Sequence, residues 1–248
     1  MQKVSKKEKV EELFPFFKNL SPEKILSFAA DKFRGELAFA SSFSMEDQVI
    51  TDIIAKNNLN IPVFTLDTGR FFDETYKLID RTEKHYGLKI SVYFPDTSDI
   101  ENMIKEFGIN LFYENPEKRK YCCEQRKVKP LQRALSGRAA WICGLRREQS
   151  ITRVGLDVLE WDEANDLVKI NPILEWTDQK VKDYIIENNV PYNPLHDKGF
   201  ISIGCACCTR AITLGEHPRS GRWWWEAPET KECGLHFVNG RLERIKKA

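Results

Sequence analysis

Two cysteine pairs constrain this chain more than any other feature. Cys122 and Cys123 are adjacent, and Cys205 and Cys208 follow far downstream with C-x-x-C spacing. Neighbouring Cα atoms sit about 3.8 Å apart, below the disulfide range of about 4.4–6.8 Å, so Cys122 and Cys123 are poorly placed to bridge each other. Two such pairs can instead converge on one metal centre. Four thiolates suit tetrahedral zinc or a [4Fe–4S] cluster, and spacing alone does not choose between them. Any fold that satisfies the pattern must bring residue 122 beside residue 205, and the rest of the chain reads as a scaffold for that meeting.

The residues beside the first pair are basic. If Lys118 to Leu135 is one helix, Cys122 faces Arg126 and Cys123 faces Lys127, each pair four apart. Cations there lower thiol pKa values and offset the charge of a ligated cluster. Arg126 reads as part of a solvated basic face, whereas Lys127, close to a thiolate and aimed the same way, reads as functional. Cys143 reads as a small core residue in an apolar strand, and Cys207 competes with its neighbours for a ligand place that C-x-x-C geometry assigns to the outer two.

An odd number of cysteines, seven, without an export signal points to metal and redox chemistry in a reducing compartment, so the expected address is the cytoplasm. The net charge of +1 implies neither nucleic acid nor a membrane surface as partner. No apolar run approaches the roughly 20 residues of a membrane span.

Periodicity gives the body. Ser21-Pro22-Glu23 opens a helix to about Phe33, within an N-terminal helical segment over 1–34. Strands are expected at Glu36–Ser41, Ile61–Asp67, Leu88–Phe94 and Ala139–Gly144. Helices fall between them, with Gly87, Gly108 and Gly137 as stops. Val154–Trp161 and Leu167–Ile173 look like a small strand pair, and Thr177 caps a helix to about Asn188. Alternation of this kind predicts an α/β fold with a mostly parallel twisted sheet and helices on both faces, over about 35–222. Ligands in such sheets bind at the carboxyl ends of the strands. Three polar loops should emerge there: Ser42 to Asp47, Asp67 to Arg70, and Leu145 to Ser150. Each of the first two, taken by itself, reads slightly better as an ordinary helix-capping turn than as an anion cradle.

Beyond Val190 the chain is loop-rich, and 223–248 reads as a mobile C-terminal tail. Trp223-Trp224-Trp225 suggests packing rather than base stacking, since no basic stripe accompanies it. Cys233, beside Gly234 and near Lys231 and His236, is a candidate exposed thiolate nucleophile.

Taken together these motifs resemble the assimilatory adenylyl-sulfate (APS) reductases of the APS/PAPS reductase family. The likeness is carried by Cys122-Cys123-x-x-Arg126-Lys127-x-x-Pro130-Leu131, Cys205-x-x-Cys208 and Glu232-Cys233-Gly234-Leu235-His236. It extends to Ser42-Phe43-Ser44, Leu66-Asp67-Thr68-Gly69-Arg70, Gly144-Leu145-Arg146-Arg147-x-Gln149-Ser150 and Gly221-Arg222-Trp223-Trp224-Trp225-Glu226. The resemblance implies an adenine nucleotide alpha hydrolase-like fold and a [4Fe–4S] cluster on Cys122, Cys123, Cys205 and Cys208. It also implies reduction of APS to sulfite and AMP through an S-sulfocysteine on Cys233, toward cysteine biosynthesis. By motif match, Lys127, Arg219, Arg222 and His236 would surround the sulfate. Ser42, Ser44, Arg146 and Arg147 would hold the phosphate end, and Leu66 and Gly69 would line the adenosine pocket. The chain leaves no room for a fused thioredoxin-like domain, so the implied reductant is an external thioredoxin; self-association is left open. Rival readings are reduction of the 3′-phosphorylated substrate (PAPS), alone or with APS, and a non-enzymatic iron–sulfur or zinc regulatory module. A nucleotide-activating ligase would share the early fold but wants a Ser-Gly-Gly-x-Asp-Ser type loop, which Ser42 to Asp47 is not.

Overall fold

The computed structural model describes residues 6–149, 155–213 and 215–227. Cys233 and His236 lie outside the described residues.

Six strands form one twisted sheet: β1 (Leu37–Ala40), β2 (Val63–Leu66), β3 (Ile90–Tyr93), β4 (Ala140–Ile142), β5 (Leu159–Asp162) and β6 (Leu167–Ile170). Their spatial order is β3-β2-β1-β4-β6-β5, and every pairing is parallel except that of β5 with β6. The expected small strand pair forms, as β5 with β6, and it is part of the main sheet. β6 pairs with β4 inside the main sheet, and β5 folds back as its antiparallel edge. The central strands are buried on both faces, as their continuous apolar runs require: Phe39, Ala140 and Ile142 have no exposed surface.

The helices are α1 (Lys6–Phe17), α2 (Pro22–Lys32), α3 (Met45–Lys56), α4 (Asp73–Tyr86), α5 (Thr97–Phe107), α6 (Pro116–Cys123), α7 (Lys129–Leu135) and α8 (Asp178–Glu187). Ser21 caps α2 and Thr177 caps α8 through their side chains. Gly87, in the left-handed conformation, ends α4. The N-terminal helices pack onto the body, for Phe17, Ile25, Leu26 and Ala29 share one apolar core with Leu37 and Phe39. Among the described residues no helix is long and apolar enough to cross a membrane.

The expected single helix from Lys118 to Leu135 is interrupted. Between α6 and α7 runs one π-helical turn, Glu124–Val128, in which Lys129 N–H donates to the Glu124 carbonyl five residues back. Pro130 supplies the reason. In a continuous α-helix its ring would meet the carbonyl of Arg126, and a widened turn relieves that clash.

The chain through Ala227 also belongs to the folded body. Trp223 is buried, and Glu226 is buried against Arg119.

Candidate active site

The strand order reverses between β1 and β4, and the loops leaving β1, β2 and β4 emerge together at their carboxyl ends. That crevice is where sheets of this kind bind nucleotides.

The loop after β1 is built tightly. Ser44 caps α3 by accepting from Asp47 N–H, and Asp47 Oδ2 accepts from both the backbone N–H and the hydroxyl of Ser42 at 2.6 Å. Phe43 between them is buried with φ of 60°, a left-handed conformation that is costly for a bulky residue and persists only where the surroundings enforce it. Burial pushes the Asp47 carboxyl up to about 6, although hydrogen bonds from Ser42 oppose the shift. Gly144 lies against this loop so closely that a Cβ there would sit 2.3 Å from Asp47 Oδ1. The β1 and β4 loops can meet only because that position carries no side chain.

In the loop after β4, the two arginines differ. Arg146 is buried, with its Nε 2.9 Å from Glu46 Oε1 and further bonds to Glu148, Asp178 and the Trp176 carbonyl. It braces the loop against α3 and α8. Arg147 is half-buried and paired with Glu175 at 2.6 Å.

The loop after β2 joins the crevice to the cysteines. Leu66 ends β2, and Gly69 (φ 69°) turns the chain with its N–H bonded to Asp67 Oδ1 at 2.7 Å. Burial, reinforced by Asp67, pushes the Tyr76 hydroxyl up to about 12 while it donates to the same Oδ1. Thr68 Oγ1 lies 3.3 Å from Cys205 Sγ, and the Arg70 carbonyl accepts from Ala206 N–H at 2.8 Å. Arg70 Nη1 reaches Cys207 Sγ at 3.7 Å.

Cys122, Cys123, Cys205 and Cys208 line one small cavity together with Cys207, Lys127, Arg70, Arg119 and Arg126. The two cysteine pairs do converge. None of the six cysteines among the described residues is in a disulfide. Among those residues no three of His, Cys, Asp or Glu gather around a single-ion position. Burial pushes the Cys122 thiol up, and the neighbouring Arg126 guanidinium pulls it back. The Cys208 thiol holds its neighbour Cys207 below the ordinary thiol range, with help from Arg70, and is itself driven up.

Arg126 departs from expectation. It is buried, not solvated, and its Nη1 donates to the Thr68 carbonyl at 2.6 Å. Its Nε is one of four buried donors in this lobe without a partner, the others being Arg222 Nε and the indole N–H groups of Trp223 and Trp225. Such orphaned donors are rare and suit an acceptor-rich occupant. Cys123 bonds to Arg119, one turn earlier, rather than depending on Lys127 alone. Arg222 stacks on Trp223 at 4.7 Å and packs flat on Gly204, where a Cβ would be 2.3 Å from its Nη2. Arg219 is half-buried nearby, its backbone N–H bonded to His217 Nδ1 at 3.2 Å. Sequence reasoning left Thr68, Arg119 and Glu226 without a role; the only signal was their place inside or beside quoted motifs.

A parallel sheet with polar loops at its switch point and a thiol-walled cavity beside them defines an adenine nucleotide alpha hydrolase-like α/β protein. Yeast FAD synthetase shares the fold at 17% identity, with a TM-score of 0.51 over 85% of this chain and 70% of its own. The chain belongs to the phosphoadenosine phosphosulfate reductase domain family, whose profile matches residues 36–211. An adenosine 5′-phosphosulfate reductase of Allochromatium vinosum is 52% identical over 81% of this chain and 78% of its own. One from Agrobacterium fabrum is 48% identical over 86% and 82%. The crystal structure of a phosphoadenylyl-sulfate reductase from Candida auris, a phosphate complex, matches with a TM-score of 0.70 at 32% identity, covering 83% of this chain and 97% of that one.

Proposed function

We propose that this chain reduces adenosine 5′-phosphosulfate to sulfite and AMP. The observation that carries the reading is the cysteine cavity. Four thiols in two distant pairs share one wall with three guanidinium groups, beside the nucleotide crevice. The relatives named for that substrate, at about half identity, support it.

The donor set fits a [4Fe–4S] cluster: thiol ligands, compensating cations and the unpartnered Arg126 Nε–H line one cavity. Cys122, Cys123, Cys205 and Cys208 would hold it, and when bound it supplies negative charge and a covalent tie between α6 and the Cys205 loop. Lys127, lining the same cavity, would be oriented by that charge.

The Cys233 thiolate attacks the sulfur of the phosphosulfate. A new S–S bond forms, the S–O bond to phosphate breaks, and AMP leaves with the electron pair. A thioredoxin thiolate then attacks Cys233 Sγ and displaces sulfite, which takes the S–S electron pair. The second thioredoxin thiol resolves the mixed disulfide, so the dithiol supplies both electrons. Ser42, Ser44 and Arg147 would receive the phosphate, and Arg219, Arg222, Lys127 and His236 the sulfate. Arg146 would help by bracing the loop, given its bonds to Glu46 and Asp178. Two anionic groups approached by a thiolate need this charge compensation.

The likeness to a phosphoadenylyl-sulfate reductase supports a second reading, in which the 3′-phosphorylated nucleotide is also reduced. The test incubates holoprotein with each nucleotide and no reductant, then weighs it intact. A single sulfonate adduct on Cys233 with stoichiometric AMP is expected from APS. No adduct from APS, or an adduct that persists in a Cys233→Ser variant, overturns the reading.

A further inference from the structure

We infer that Arg119 is a positioning residue: it ties the Cys123 wall of the cysteine cavity to Glu226 and fixes the point from which the chain runs on to Cys233. The inference rests on Cys233 being the nucleophile.

Arg119 has no exposed surface, and its guanidinium donates in a two-pronged clasp to Glu226, Nε to Oε1 at 2.8 Å and Nη2 to Oε2 at 2.9 Å. The same group hydrogen-bonds the Cys123 side chain. Its planar face lies 4.5 Å from the Trp223 ring, which Arg222 also overlies at 4.7 Å. One cation thus touches a cavity thiol, the indole that backs Arg222, and the last carboxylate of the described chain.

A buried ion pair seldom out-stabilises a hydrophobic replacement, because desolvating both charges costs as much as their attraction returns. What a two-pronged clasp supplies is fixed geometry. Here the geometry matters for a stated reason. Cys233 lies seven Cα–Cα steps beyond Glu226. At about 3.3–3.6 Å per residue the tether reaches at most about 25 Å, and its anchor decides where that reach is centred. Thiolate attack requires sulfur to come within about 3–3.5 Å, and a misplacement of about 1 Å can cost on the order of 100-fold.

The test compares wild-type holoenzyme with Glu226→Gln, which keeps shape but removes the charge, and Arg119→Lys, which keeps charge but removes the fork. Iron per chain, visible absorbance and AMP affinity are measured first. The single-turnover rate of S-sulfocysteine formation on Cys233 follows, with iodoacetamide alkylation of Cys233 as a reading of its intrinsic reactivity. Positioning predicts that Glu226→Gln retains iron, AMP affinity and alkylation rate while single-turnover sulfonation falls about tenfold or more. Glu226→Gln, farther from the cavity, decides the matter if Arg119→Lys fails to hold iron. An unchanged sulfonation rate overturns the inference. So does a loss of iron in Glu226→Gln that parallels the loss of rate, for then the pair only props the cavity. If wild-type enzyme forms no adduct, the nucleophile reading fails and takes the inference with it.

Discussion

The sheet-centred body and the cysteine lobe are held together by different physics. Around β1 and β4 one cluster is aliphatic and aromatic, with Phe39, Ile50, Ile53, Ile142 and Ile170, and buried charges beside it are paired or hydrogen-bonded: Arg146 with Glu46, Lys169 with Glu160, Asp52 with Tyr86 and Tyr184. The lobe has a smaller apolar set, Met103, Leu111, Phe112 and Trp223, packed against Cys122, Cys205 and Cys208. Its remaining interior is charged: Arg119, Arg126 and Arg222 are all buried, and only Arg119 has a carboxylate partner among the described residues. Burying cations without counterions is costly. The body therefore supplies partners for its own buried charges, whereas the lobe is built around something that thiolates and cations hold jointly. Folding and function separate along that line.

The sharpest way to break the comparison is Cys122→Ser. Complete loss of iron and of sulfite formation is expected, while far-UV circular dichroism and the main unfolding transition stay near wild type. A variant that unfolds globally, or one that keeps its iron, would show that the two regions are not separable in this way. The converse substitution comes next. Phe39→Ala empties a fully buried site in β1, and a loss of about 3–5 kcal/mol in urea unfolding is expected. Iron per folded chain should not change. Iron loss at denaturant concentrations that leave the protein folded would argue against an autonomous body.

The same division explains what could be read in advance. Strands and helices of the body follow from apolar runs and glycine stops, because each side chain there is placed by one dominant force acting locally. Convergence of the cysteines was legible for a different reason: adjacent thiols have few other uses. The π turn was not, since it depends on a clash between the Pro130 ring and a carbonyl that appears only once a helix is assumed. Burial of Arg126 was hidden because a Lys-Val-Lys-Pro neighbourhood looks solvated, and its acceptor, the Thr68 carbonyl, belongs to a different strand loop. Trp223 and Glu226 read as tail because their partner Arg119 stands 107 residues from Glu226 in sequence.

Asp47 tests the crevice rather than the lobe. Its carboxyl is raised from 3.8 to about 6, so the folded state favours the protonated form. A raised acid is least costly below its unfolded value; stability is lost as pH climbs through the interval between the two, approaching about 3 kcal/mol at neutral pH, at 1.36 kcal/mol per unit. Asp47→Asn should abolish that slope, so the variant gains on wild type between about pH 4 and pH 7 in paired urea melts. The carbonyl of Asn still accepts one bond from Ser42, which keeps the loop in place. Parallel pH profiles would mean that the hydrogen bonds from Ser42 fully offset burial.

Arg126→Met carries the smallest expected effect and says most about the lobe. The substitution keeps an unbranched stem of similar bulk and removes the cation, leaving the Thr68 carbonyl buried without its donor. That costs about 1–3 kcal/mol. The cost falls on the loop from Asp67 to Arg70, which bonds Cys205 on one side and carries Gly69 into the crevice on the other. If this loop couples the two regions, AMP affinity should fall about tenfold, at 1.4 kcal/mol per decade, together with faster iron loss to a chelator. Arg126→Lys should recover the chelator resistance in part, because the charge returns, but not the AMP affinity, because the shorter lysine does not place its ammonium where Arg126 Nη1 meets the Thr68 carbonyl. A variant that loses only chelator resistance would confine Arg126 to the lobe; one that loses neither would make its burial idle, and the contrast between a self-sufficient body and a charge-dependent lobe would lose its main support.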